Sequence, residues 1–256
     1  MTISFKYLFS CLFILITSFN VQEGKKINVI FIGDSITESG ALTNPLDEAT
    51  PILVEQNLKT HKLFSAVSVT NMGFSGHTTV DFLPDSHKDF LKVVSAANTY
   101  SFDKEASLIF SIMLGTNDSA NFGPNGSPVS AANYKANLKI IIDSLLQKFP
   151  AAIFILQYPL WYSNNTYNTS SYLQDGLNRL KEYSIELDDL VKQYKINYSK
   201  QVFAGDKTSF NYFRKNYKKF YKPENGQQGI FYLHPNAAGS QALSKIWTKS
   251  ILKVIE

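Results

Sequence analysis

Cysteine is almost absent from this sequence: Cys11 is the only one in 256 residues. An internal disulfide and a cysteine-based zinc site are therefore excluded. Histidine is scarce as well, with four residues, and His61 and His87 lack the spacing of paired metal ligands. No metal is expected. The thirteen glycines follow no period, which excludes collagen. They form neither a phosphate-binding loop nor a dinucleotide fingerprint, so no cofactor is expected. The formal net charge of +4 falls well short of a dedicated nucleic-acid binder, and nucleic acid is not an expected partner.

Long hydrophobic runs are limited to one. Residues 7–19 are nearly all apolar, with Lys6 the only charge before them. The run falls short of the roughly 20 residues that span a bilayer and suits the apolar region of a secretory signal. Residues 1–22 are read as that signal, approximately, and the mature chain as secreted or periplasmic. Membrane contact is expected only through this segment, if it stays uncleaved. Its removal takes away Lys6 and Cys11, leaving a net charge of 4 − 1 = +3 and a cysteine-free chain that rests on its core alone.

A large core is what the remainder offers. The chain is 44% hydrophobic, long enough for one sizeable domain and too short for two large ones. Residues 27–32, 66–71, 107–114 and 152–156 read as strands, three of them ending at a glycine. Between and after them lie helical patterns. Leu138, Ile141, Ile142, Leu145, Leu146 and Phe149 recur on one face, with Ser130 as a cap and Pro150 as a stop. Leu173 to Tyr194 carries a second helical stripe. A third helix runs from about Asn236 to Val254, with Ala242, Leu243, Ile246 and Leu252 inward. Strand–helix alternation predicts a mostly parallel sheet with helices on both faces. In such a sheet, ligands sit beyond the carboxyl ends of the strands.

Polar clusters stand at those ends: Gly33-Asp34-Ser35, Asn71-Met72-Gly73 and Gly115-Thr116-Asn117-Asp118, joined by His234-Pro235-Asn236 before the last helix. Each alone is a turn or a cap. Together, converging on one rim, they read as an active site.

These clusters, extended to Gly33-Asp34-Ser35-Ile36-Thr37 and to Asn71-Met72-Gly73-Phe74-Ser75-Gly76, resemble the four signature blocks of the SGNH (GDSL-type) esterases and lipases. The resemblance covers residues 27 to 254 and marks 25–256 as a single domain. It implies a flavodoxin-like, three-layer α/β/α fold and hydrolysis of carboxylic esters. It implies Ser35 as nucleophile, His234 as general base, and Ser35 N–H, Gly73 N–H and the Asn117 amide as oxyanion donors. In one place the chain departs from the family, which sets an aspartate three residues before the histidine. Phe231 stands there. The group orienting His234 is left open among a backbone carbonyl, Asp206 and Glu224.

Two further features carry weaker readings. The loop at 158–172 mixes Trp161, Tyr162 and other aromatics with amides, suiting a sugar, an acyl chain or simple packing on the core. His77 is a second candidate lining residue. Arg214 to Lys222 interleaves cations with aromatics and reads as a solvated helix with one packed face, or a contact for an acidic polysaccharide or lipid head group. The expected activity is removal of acetyl or other short acyl groups from a small molecule or carbohydrate. The alternatives are a lysophospholipase or lipase and, given Phe231, a silent carbohydrate-binding module.

Overall fold

The computed structural model describes residues 24–256. The segment read as a secretory signal lies outside them. In chain order the elements are β1 (Lys25–Gly33), α1 (Ser35–Glu38), α2 (Pro45–Glu48), α3 (Thr50–Lys59), β2 (Phe64–Gly73), α4 (Phe90–Thr99) and β3 (Ala106–Met113). There follow α5 (Ala131–Lys148), β4 (Ile153–Leu156), α6 (Leu173–Asn197), β5 (Val202–Ala204), α7 (Ser209–Lys215), α8 (Tyr217–Phe220), β6 (Tyr221–Gly226), β7 (Gly229–Pro235) and α9 (Ala237–Ile255).

Five strands form one parallel sheet in the order β2-β1-β3-β4-β5. Strand β1 is apolar at every position from Val29 to Ile32 because both of its faces are covered. Ile30 and Ile32 pack on one side with Phe110, Leu145 and Leu180, under α4, α5 and α6. Ile27, Val29 and Phe31 pack on the other with Val54, Leu243 and Trp247, under α3 and α9. The Phe31 and Trp247 rings stack at 5.2 Å. Helices on both faces of the sheet make three layers, as expected. Among the described residues no helix is long and apolar enough to cross a membrane.

The inward face of α9 differs from the expected stripe. Leu243, Trp247, Ile251 and Ile255 are buried, four apart, while Ala242, Ile246 and Leu252 are only partly covered. Small hydroxyls decide this rotation. Ser240 and Ser244 turn toward α3, where Ser240 Oγ meets Thr50 Oγ1 at 2.9 Å and Ser244 Oγ accepts from Asn57 at 3.5 Å.

The segment from Arg214 to Lys222 is not one helix. It breaks at Asn216 between α7 and α8, and its end enters β6. Its aromatic face does pack: Phe213, Phe220 and Tyr221 are buried and the cations are exposed. Strands β6 and β7 form an antiparallel hairpin apart from the main sheet, closed by two residues, Gln227 and Gln228.

Candidate active site

Strands β1 and β3 are neighbours, and the chain leaves them toward opposite sides of the sheet. A parallel sheet opens a crevice at that switch point. Ser35 follows β1 and Asn117 follows β3, so the topology sets the hydroxyl and the amide at its mouth.

Ser35 begins the single-turn α1. Asp34 caps that turn, its Oδ1 accepting the Ile36 N–H at 2.9 Å. Ser35 Oγ lies 3.1 Å from His234 Nε2. On the far side of the ring, His234 Nδ1 is 3.0 Å from both Glu224 oxygens, and the His234 backbone N–H donates to Oε1 at 3.2 Å. The carboxylate therefore holds ring and backbone together. It fixes the proton on Nδ1 and leaves Nε2 to accept from the hydroxyl. Burial pushes the Glu224 carboxyl up, but the His234 hydrogen bond and charge outweigh it and hold the group below its ordinary range.

Glu224 reaches this position across the hairpin ladder. It pairs directly with Phe231, the residue that stands where the family sets its acid. Phe231 turns into the core at 1% exposure, and the carboxylate arrives from the opposite strand. A register shift between Tyr221 and Pro223 bends β6 there, the usual way a strand re-aims a side chain. Asp206, the other candidate acid, is elsewhere: its Oδ1 accepts from the Thr208 N–H and hydroxyl, both at 2.5 Å, and closes an exposed turn.

Gly73 does not fill the donor role expected of it. Its N–H already donates to Asn71 Oδ1 at 2.9 Å. A Cβ there would lie 2.2 Å from the Glu38 nitrogen, so this glycine serves close packing of β2 on α1. The unused donor is three residues on. Residues 74–77 form a turn pinned at both ends: Phe74 N–H donates to the Gly33 carbonyl at 3.0 Å, and the His77 carbonyl accepts from Asn117 Nδ2 at 2.9 Å. Gly76 adopts φ of 79° in that turn, and its N–H has no acceptor among the described residues. The Ser75-Gly76 dipeptide is the sequence signal for that turn.

Asn117 is held from both ends. Tyr172 donates to its Oδ1 at 2.7 Å, which leaves one Nδ2 hydrogen unspent. His77 is half-buried at the rim with its ring on the buried carboxylate of Asp89. Tyr162 is no lining residue: it is 1% exposed, and its hydroxyl pairs with Ser119 Oγ at 2.9 Å. Trp161, its neighbour, is only half-buried and edges a groove.

Two buried acids support the loops beneath. Burial pushes Asp34 up to about 6, against the Ile36 amide, the Thr116 hydroxyl and His234. Burial likewise pushes Asp118 up to about 7, against the Thr79 hydroxyl and amide, with Asp34 adding repulsion. Both groups hold protons in the folded chain that the unfolded chain releases near the ordinary value of 3.8. The folded state thus binds more protons between pH of about 4 and 7, and stability falls as pH rises through that window. Each group contributes a slope of about 1.4 kcal/mol per pH unit where it is steepest. Asp118→Asn keeps a neutral acceptor for Thr79, so melting temperature should vary less with pH across this window than in wild type. An unchanged slope would locate the effect in other groups.

A hydroxyl, an imidazole and a carboxylate in series, at the carboxyl rim of a three-layer sheet, define the class of serine hydrolases. Residues 31–242 match the model of the GDSL-like lipase/acylhydrolase family, and the chain belongs to that family. It is a carboxylic ester hydrolase. No curated protein matches it significantly by sequence. Solved structures share its fold at low identity. A carbohydrate acetylesterase from Sinorhizobium meliloti is 16% identical over 90% of this chain and 100% of its own, with a TM-score of 0.59. A catalytic mutant of an acetylxylan esterase from Geobacillus stearothermophilus is 21% identical over 91% of this chain and 95% of its own, at 0.57. An aryl esterase from M. smegmatis is 15% identical over 89% of this chain and 99% of its own, at 0.58.

Proposed function

We propose that the protein removes short acyl groups, foremost acetyl, from carbohydrate esters outside the cytoplasm. The observation that carries the chemistry is the unbroken series Ser35 Oγ, His234, Glu224. An unaided hydroxyl is a poor nucleophile at neutral pH. As Ser35 Oγ attacks the ester carbonyl, its proton passes to His234 Nε2, and Glu224 stabilises the imidazolium. The negative charge on the former carbonyl oxygen meets the Ser35 N–H, the unspent Asn117 hydrogen and the Gly76 N–H, which replaces Gly73 in the set. Collapse returns the proton to the leaving alcohol and leaves an acyl-serine. Water then repeats the cycle, giving up a proton to His234, and the carboxylic acid departs with Ser35 restored. The reaction calls for no further group.

Phe231 is the feature that favours a silent binding module. It loses that weight because Glu224 sits on His234. The carbohydrate assignment draws on the two acetylesterases among the similar structures and on the half-buried Trp161, which edges a groove. Export draws on the apolar run at 7–19. The test is a series of p-nitrophenyl esters from acetyl to dodecanoyl, with acetate release from acetylated xylan beside it. Turnover should fall steeply with chain length, and acetate should appear. Preference for the longest chains would make the protein a lipase.

A further inference from the structure

Beside the loop at 158–172 lies a groove of about 360 Å³, lined by Trp161, Asn164, Gln174, Lys181, Phe210 and Arg214, with Leu177 at its floor. Three elements build it: the loop, the first half of α6, and α7. Two sequence features meet here that the reaction does not use, the aromatic–amide loop and the start of the basic segment. Its lining holds two cations, two amides and no carboxylate. Neither Lys181 nor Arg214 makes an ion pair among the described residues.

Trp161 is a fixed wall. Its carbonyl accepts from the Tyr221 hydroxyl, and its ring packs against Tyr217 at 5.6 Å and Tyr221 at 6.0 Å. The wall is tied to the reaction centre through the backbone. Ser163 N–H donates to the Tyr232 carbonyl and Tyr232 N–H to Ser163 Oγ, both at 2.9 Å, two residues before His234. Tyr217 also packs its ring on Tyr232 at 4.8 Å.

We propose that this groove is a subsite for an anionic sugar residue, a uronate in the chain that carries the ester. The proposal rests on the esterase reading above and names its substrate class. An indole face stacks on the apolar face of a pyranose. The Asn164 amide and the Gln174 carbonyl oxygen meet hydroxyls, the Gln174 N–H being held by Asn178 at 3.0 Å. The planar fork of Arg214 suits a carboxylate in two-point contact, and Lys181 adds a second positive charge. A neutral glycan offers the two cations only uncharged hydroxyl oxygens, whereas a uronate offers charge-assisted hydrogen bonds, which are about twice as strong.

Calorimetric titration with unesterified oligogalacturonate tests binding apart from catalysis, with neutral xylo-oligosaccharide as the comparison. Wild type should bind the oligogalacturonate more tightly, and added salt should weaken it. The exposed pair Lys181→Gln and Arg214→Gln, made together, should cost about tenfold or more in affinity, as lost hydrogen bonds to a charged group do. A matching melting temperature certifies the fold of the variant. Equal binding of the neutral sugar, unchanged affinity in the double variant, or no binding of oligogalacturonate by wild type would each overturn the subsite. Turnover of p-nitrophenyl acetate by wild type is read separately: its absence would overturn the esterase reading and leave the binding result standing.

Discussion

Ser35→Ala should abolish ester turnover, with kcat falling by about ten-thousandfold to a millionfold, the range seen when a serine nucleophile is removed. Among the described residues the hydroxyl makes one hydrogen bond, with His234 Nε2, so its loss touches nothing else in the fold. Melting temperature should therefore hold while activity disappears. The same variant should fail to form an adduct with a fluorophosphonate that adds to wild type, which mass spectrometry reads directly. A folded variant retaining more than about a tenth of the wild-type rate would exclude Ser35 as the nucleophile.

Glu224→Gln should be nearly as damaging, at about ten-thousandfold in kcat with KM little changed. The change preserves shape and removes charge. A carboxylate accepts from Nδ1 with either oxygen, as the two 3.0 Å distances show. A carboxamide offers one oxygen, which the His234 backbone N–H also requires. Turning its NH2 group toward Nδ1 forces the proton onto Nε2, and the imidazole can then no longer accept from Ser35. Asp206→Asn should stay within about twofold of wild type, since that carboxylate only closes an exposed turn. The charge is also secure against acid. Because Glu224 titrates below the ordinary carboxylate range, its contribution is present above that range and is lost only as pH falls through the lowered value. If Asp206→Asn proved the damaging change and Glu224→Gln the silent one, the orienting role would belong elsewhere.

Much of this site is legible in the amino-acid sequence, because the strands are long apolar runs and the polar clusters sit where those runs stop. Ser35 and Asn117 lie within four residues of a strand end, and His234 stands just before the last helix; those positions are what mark them. The rest is decided at longer range or at finer grain. Asp206 and Glu224 occupy one polar segment, and only the pairing of β6 with β7 places one of them on the histidine. No local pattern announces that hairpin, since Tyr221 to Gly226 contains a proline, two charges and a terminal glycine in place of an alternating run. Gly73 and Gly76 lie three apart in the same block. One is required by packing and the other by a positive φ, a difference composition does not carry. Trp161 and Tyr162 are adjacent, and which of them faces outward depends on the path of an irregular loop.

The hairpin has a consequence for how such a site fails and recovers. Glu224 and His234 are ten residues apart and joined by a two-residue turn, so their alignment is a property of one short stretch of chain. Ser35 is 199 residues from His234, and that contact exists only when the hairpin is docked on the sheet. The two distances therefore respond to different disturbances. A substitution that loosens docking lengthens the first step of proton transfer while the imidazole keeps its orientation, and binding of substrate in the crevice can restore the contact. A substitution within the turn or the ladder disarms the base even though every strand of the main sheet remains in place. Damage remote from the hairpin should thus be repairable by stabilising the whole molecule, whereas damage inside it should be deaf to such compensation.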